Sequence, residues 1–175
     1  ISVMLAPHAE YTNTEGTIRR VVELAHKLDC GIHIHVQETK AETEGCIGRH
    51  GVSPARWLER LGVFTRRTVA AHCVTVDADD IGILRRNGVS VASNPGSNMK
   101  LASGIAPVDA MRKAGVNVAL GTDGAASNNN LDMLEEARLC ALCAKLREGN
   151  PAAVTAYEAL EMATIGGAKA LGIDS

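Results

Sequence analysis

Apolar residues fall into two alternating kinds of segment along this chain. Short runs rich in Val, Ile and Ala occupy Ser2–Ala6, Gly31–Val36, Thr68–Ala71, Val89–Ser93 and Val116–Gly121. Their hydrophobicity is mostly continuous rather than alternating, which predicts strands of a parallel sheet covered on both faces. Between them, Gly16–Leu28, Ser53–Leu61, Ala78–Arg86 and Pro107–Ala114 repeat apolar residues at helical spacing. Two more helical stretches, Leu131–Arg147 and Thr155–Leu171, follow the fifth run. Ser53-Pro54 suits the cap and first position of a helix, and Asn87-Gly88 and Gly115 stand where helices stop in a left-handed residue. Repeated β-α units with right-handed crossovers give either a doubly wound sheet or a barrel.

The polar residues decide between the two. His8, His35, Glu38, His72, Asn94 and Asp123 all stand at or just past the ends of successive apolar runs. In a barrel such groups converge, because the closed sheet gathers the C-terminal ends of its strands at one mouth. Five strands cannot close an eight-stranded barrel. The expected fold is therefore α/β: the C-terminal five β/α units of a TIM-type barrel, incomplete in this chain, with residues 1–175 as one partial catalytic barrel. A Rossmann-type nucleotide binder is disfavoured, because no G-x-G-x-x-G follows the first strand.

Composition narrows the class further. At 175 residues the chain can bury a real core. Aromatic residues make up only 2%, so that core must be aliphatic. A net charge of −2 argues against a nucleic-acid or anionic-membrane surface, and no stretch approaches the ~20 apolar residues of a membrane span. The opening Ile-Ser-Val-Met-Leu-Ala-Pro has no basic n-region and no initiating Met, and is expected to be the middle of a longer protein rather than a signal peptide. Five cysteines without a framework spacing fit a reduced, cytoplasmic chain. Cys140 and Cys143 form a C-x-x-C inside a helical run, where they read as core thiols sharing one face. An open five-stranded piece exposes strand edges and apolar helix faces, so a homo-oligomer is expected.

The strand-end residues supply the groups of a hydrolytic metal site. An imidazole ligates zinc through one nitrogen and a carboxylate through oxygen, and metal-bound water becomes a nucleophile near neutral pH. A carboxylate three residues from a ligand can shuttle protons, and a second imidazole can orient the nucleophile. His35, Asp123, Glu38 and His72 can fill these roles in that order. His33 points to the same face as His35, so His33-Ile34-His35 can pass for an H-x-H pair. His33 lies one layer deeper, however, and the H-x-x-E pattern begins at His35. His26 and His50, in or beside helices without evident partners, read as structural or surface residues.

Six stretches then carry a resemblance, in order: Pro7-His8-Ala9, His35-Val36-Gln37-Glu38-Thr39, Ala70-Ala71-His72-Cys73, Ser93–Asn98, Leu101–Pro107 and Gly121–Met133. They resemble the amidohydrolase superfamily, and within it the 5-methylthioadenosine/S-adenosylhomocysteine deaminase branch with its chlorohydrolase relatives. The resemblance implies that His35 and Asp123 ligate one divalent metal, zinc first, with two further His ligands from a His-x-His upstream of Ile1. It implies that Asp123 takes a proton from the metal-bound water and that His72 hydrogen-bonds the hydroxide. It makes Glu38 the group that contacts the purine and protonates the ring nitrogen beside the attacked carbon, and His8 a substrate contact. The implied reaction is hydrolytic deamination at C6 of an adenine nucleoside thioether, S-adenosylhomocysteine or 5-methylthioadenosine. Another amino- or halo-heterocycle, guanine-type or triazine, is the alternative, and the chain alone is expected to be a non-catalytic fragment. Gln37 and Glu10 stand where Ser or Ala, and Pro, are expected; these read as modest changes. The Asn94–Asn98 loop lies over the same mouth without an assigned role.

Overall fold

The computed structural model describes residues 3–175. Its sheet has five parallel strands in the order β1 (Met4–Leu5), β2 (Gly31–Val36), β3 (Thr68–His72), β4 (Ser90–Ser93) and β5 (Asn117–Leu120). All five expected strands are present, although Ser2 of the first lies outside the described residues. Sequential order with parallel pairing makes each connection a crossover, carried by helices α1 (Glu15–Lys27), α2 (Lys40–His50), α3 (Pro54–Arg60), α4 (Ala78–Arg86), α5 (Pro95–Lys100) and α6 (Val108–Lys113). After β5 come α7 (Ala125–Asn128), α8 (Met133–Glu148), α9 (Ala156–Glu161) and α10 (Gly167–Leu171). Helices α2, α5 and α7 have no counterpart in the apolar periodicity. The expected single helix over Thr155–Leu171 is interrupted by a π-helical turn, Met162–Gly166. There Gly166 runs so close to β5 that a Cβ would sit 2.6 Å from the Val118 carbonyl oxygen.

Side-chain alternation divides the sheet into two faces. Ile32, Ile34 and Val36 of β2, with Ala70, Val91 and Val118, join Ile18, Leu58, Ile81, Leu84 and Met111 from the helices in the main core. Each such large side chain contributes about 1.5–3 kcal/mol on burial. The opposite face is built of small residues. The register places His35 beside Ala71, Ala71 beside Ala92 and Ala92 beside Ala119. Ala119 of that row and Val69, one level deeper, pack on Ala170 of α10, with Met4 and Ala92 at the margin. A row of alanines next to one imidazole leaves the inner face open at its upper end.

The cysteines are free thiols; burial in the core pushes Cys140 up to about 12, whereas Cys143, expected beside it as a core thiol, is only half-buried. Among the described residues no helix is long and apolar enough to cross a membrane. Gln37, one of the two departures noted above, is fully buried. Its Nε2 donates to the Thr75 carbonyl (3.1 Å) and to Asp80 Oδ2 (3.1 Å), while its Oε1 accepts from Ala55 N (3.1 Å). Asp80 in turn accepts from Ser53 Oγ at 2.6 Å. Gln37 thus ties the end of β2 to α3 and α4, which is more than a modest change. Replacing it with Leu orphans these groups, at about 1–3 kcal/mol for a buried polar group left unpaired. Urea unfolding of Gln37→Leu is expected to show a loss of at least that size; an unchanged midpoint would refute the role given to the network.

Candidate metal centre

Strands β1, β2, β3 and β5 end on or near residues in left-handed backbone: His8 (φ 37), Gln37 (φ 53), His72 (φ 72) and Asp123 (φ 62). A non-glycine residue held there costs of order 1–3 kcal/mol and persists only where its surroundings enforce it. The enforcement is visible at each turn. His35 N donates to the His8 carbonyl (2.8 Å), and Cys73 N donates to that of Val36 (3.0 Å). Val74 N and Thr75 N share the Gln37 carbonyl at 3.0 and 3.1 Å, and Gly124 N donates to Asp123 Oδ1 at 2.8 Å. These turns swing the side chains of the strand ends over the inner face.

Three of those side chains converge: one ligand-capable atom each from His35, His72 and Asp123 all lie within 4.8 Å of one another. His35 Nδ1 is 2.7 Å from the His8 carbonyl oxygen, so Nδ1 carries the proton and Nε2 keeps its lone pair for a metal. His72, 1% exposed, has its Nδ1 2.8 Å from Asn98 Oδ1. An acceptor at that distance makes Nδ1 the donor, so the Asn94 amide nitrogen at 3.4 Å is a packing contact rather than a second donor. His72 Nε2 then faces Glu38 Oε2 at 3.7 Å. Partial burial pushes the Asp123 carboxyl up, but Ser97 Oγ donating to Oδ2 (2.8 Å), the Gly124 amide and the imidazoles of His72 and His35 outweigh it and hold the group below the usual carboxylate range. A neutral imidazole lone pair and an ionised carboxylate converging on one point form a donor set that fits zinc.

The remaining expected residues surround this point. Glu38 Oε1 accepts from Ser103 Oγ at 3.2 Å. His8 is exposed at the rim, its ring centroid 4.9 Å from that of His35 and its Nδ1 paired with Thr12 Oγ1 at 2.9 Å. His33 faces the same open cleft of about 520 Å³ one layer deeper, with His35, Ala71, Ala92, Asn94 and Asp123 around it. His26 and His50 lie outside the site but are not without partners. His26 pairs with Thr65 Oγ1 at 3.0 Å, whereas His50 stacks on Trp57 (centroids 4.0 Å apart) and contacts the buried Glu10 at 3.0 Å.

Sequence reasoning left Asn94–Asn98 without a role, and the structure makes most of it the start of α5, which supports two site residues at once. Ser97 holds Asp123 and Asn98 holds His72. The helix is itself anchored by Glu136 of α8, a 1% exposed carboxylate that accepts from Gly96 N (2.9 Å) and Asn128 Nδ2 (2.6 Å). The one available signal was the polar run Ser-Asn-Pro-Gly-Ser-Asn directly after a strand.

The sequence profile of the amidohydrolase family matches residues 1–175. The chain belongs to the amidohydrolase family. Among curated members, it is 56% identical over 171 residues to 5-methylthioadenosine/S-adenosylhomocysteine deaminase of Thermoanaerobacter pseudethanolicus, covering 98% of this chain and 40% of that protein. It is 51% identical over 175 residues to 5'-deoxyadenosine deaminase of Methanosarcina acetivorans, covering 100% of this chain and 40% of that one. Among solved amidohydrolase structures, an adenosine deaminase from Xanthomonas campestris with bound zinc superposes with a TM-score of 0.94 at 42% identity, over 98% of this chain and 39% of its own. The chain thus spans about 40% of the length of the curated relatives it matches. Its fold is five consecutive β/α units of the TIM-type amidohydrolase barrel.

The anchoring of α5 in this amidohydrolase has a direct test. A Cβ on Gly96 would lie 2.2 Å from Glu136 Oε1 and 2.7 Å from Asn128 Nδ2. Gly96→Ala must displace the clamp, and overpacking of this kind costs about 1–3 kcal/mol. Thermal unfolding should show that loss, and wild-type stability would contradict the clamp.

Proposed function

We propose that residues 1–175 are strands four to eight of an amidohydrolase catalytic barrel, and that the whole protein hydrolytically deaminates the adenine base of a nucleoside thioether, S-adenosylhomocysteine or 5-methylthioadenosine. The observation that carries this reading is the convergence of His35, His72 and Asp123, with Glu38 beside His72, in a chain 56% identical to a protein named for deamination of these thioethers.

In this reading His35 Nε2 and the Asp123 carboxylate hold one divalent metal, zinc, completed by two histidines of a preceding His-x-His. When bound, the ion lowers the pKa of a coordinated water towards neutrality and so supplies the nucleophile. Asp123, held ionised by Ser97 and Gly124, accepts the proton released as water adds to C6 of the purine. His72, with its Nδ1 proton committed to Asn98, offers the Nε2 lone pair to orient the attacking oxygen. Glu38 sits over the base and delivers a proton to the ring nitrogen beside C6. Asp123 then returns its proton to the amino group, which leaves as ammonia while the remaining hydroxyl proton restores Glu38, giving the inosine analogue. His8 contacts substrate at the rim, and the alanine row provides the space in which the base lies. Five free thiols support a reducing, cytoplasmic setting. The two sheet edges and the exposed Leu134, Leu142, Leu146 and Tyr157 support self-association of the chain.

The test joins this chain behind the preceding part of the Thermoanaerobacter relative. Ammonia release from S-adenosylhomocysteine or 5-methylthioadenosine is expected, and it should vanish when a chelator strips the metal. Glu38→Gln should lower kcat by about 10²–10⁴. Turnover of guanine or a triazine, with none of either thioether, would replace the proposal by another amidohydrolase activity. The 175-residue chain alone is expected to show little turnover and to elute as an oligomer. A monomer by light scattering would count against self-association.

A further inference from the structure

We infer that Glu42, four residues beyond Glu38 on α2, is the positioning residue that sets Glu38, clasping the backbone amides of Gln37 and Glu38 with its two carboxylate oxygens. The inference rests on the proton-delivering role proposed above for Glu38.

The geometry differs from an ordinary helix start. Two other helices of this chain close a capping box in which the N3 carboxylate returns to the amide of the cap itself: Glu158 to Thr155 N at 2.7 Å, and Asp80 to Asp77 N at 3.2 Å. On α2 the cap is Thr39, and its Oγ1 accepts from Glu42 N at 3.1 Å as usual. The Glu42 side chain, however, reaches past Thr39. Its Oε1 accepts from Gln37 N and its Oε2 from Glu38 N, each at 2.8 Å. Gln37 is left-handed (φ 53), and successive amides around such a residue form a nest that attracts an anion. The chain supplies that anion from its own next helix turn.

A carboxylate is the group this nest requires. Glu42 is 7% exposed, and among the described residues no Lys, Arg or His donates to it; backbone amides are its donors, and burial still pushes its carboxyl above the usual carboxylate range against their pull. Gln at the position would offer one acceptor oxygen and one amide group whose hydrogens oppose an N–H. The clasp leads straight to the reacting region: Glu38 is fixed at its backbone by Glu42 and at its carboxylate by Ser103, 3.7 Å from His72 Nε2. Displacement of a reacting group by about 1 Å can cost 10²-fold in rate.

Two measurements test it. In this chain, amide exchange by NMR should show Gln37 and Glu38 exchanging about 10–100-fold faster in Glu42→Gln than in wild type, with the Ile32–Val36 amides unchanged; equal protection at the two positions overturns the clasp. If Glu42→Gln does not fold, Glu42→Asp, one methylene shorter, takes its place with the same selective effect expected. In the zinc-loaded joined protein, Glu42→Gln should lower kcat about 10²-fold with KM and zinc content unchanged, and should add nothing in a Glu38→Gln background. Equal losses in both backgrounds, or a loss that tracks zinc content, would make Glu42 merely structural. An inactive wild-type joined protein would count against the deaminase reading, and amide exchange would still judge the clasp.

Discussion

The parallel register that lays His35, Ala71, Ala92 and Ala119 side by side is the constraint on which the rest of the structure depends. Parallel strands end on the same side of the sheet, so one residue beyond this row the chain must turn outwards at a common level. Methyl groups next to His35 leave its imidazole with open space above three strands. Larger side chains there would fill the cleft and separate His35 from Asp123. The poverty in aromatic residues belongs to the same design, since the inner face works by what it omits.

Turning at a common level has a conformational cost, met by placing residues in left-handed backbone at four strand ends. The compensation comes from behind. Two nearly dry carboxylates, Glu42 and Glu136, reach from helices that follow the site loops and accept hydrogen bonds from those loops. Helix α5 presents consecutive residues, Ser97 and Asn98, to Asp123 and His72. One short helix, itself pinned through Gly96, therefore sets the tautomer of His72 and joins the Gly124 amide in holding Asp123 ionised. Such preorganisation lets a small set of side chains act without rearranging during reaction.

Much of this was legible in the sequence where local pattern and final structure agree. The bounds of β2 and α4 match the expected segments residue for residue, because a run whose Ile and Val alternate with His and a capped amphipathic run each have one stable outcome. Helix α2 was not legible, since only Glu42 and Cys46 are buried and neither marks an apolar stripe. Pro95-Gly96 reads locally as a turn, yet Pro fits the first helical position and Gly96 is required by its contact with Glu136. The π-helical turn was hidden because apolar spacing continues through it. His35, Glu38, His72 and Asp123 could be picked out by position at strand ends. Ser97, Asn98, Ser103 and Glu42 could not, because a small polar residue or a helix carboxylate acquires meaning only from the loop folded against it. The hydrogen-bond partners of His26 and His50 lie 39 and 40 residues away in sequence, beyond any local reading.

The central claim, that His35 and Asp123 are two ligands of one metal centre, is tested most directly by anomalous diffraction at the zinc absorption edge. The crystal should contain this chain joined to the preceding part of a relative. The account predicts one zinc peak at about 2.0–2.2 Å from His35 Nε2 and from an Asp123 oxygen, with His35 Nδ1 still on the His8 carbonyl. A zinc peak away from these two residues, or His35 turned out of the cleft, would contradict it.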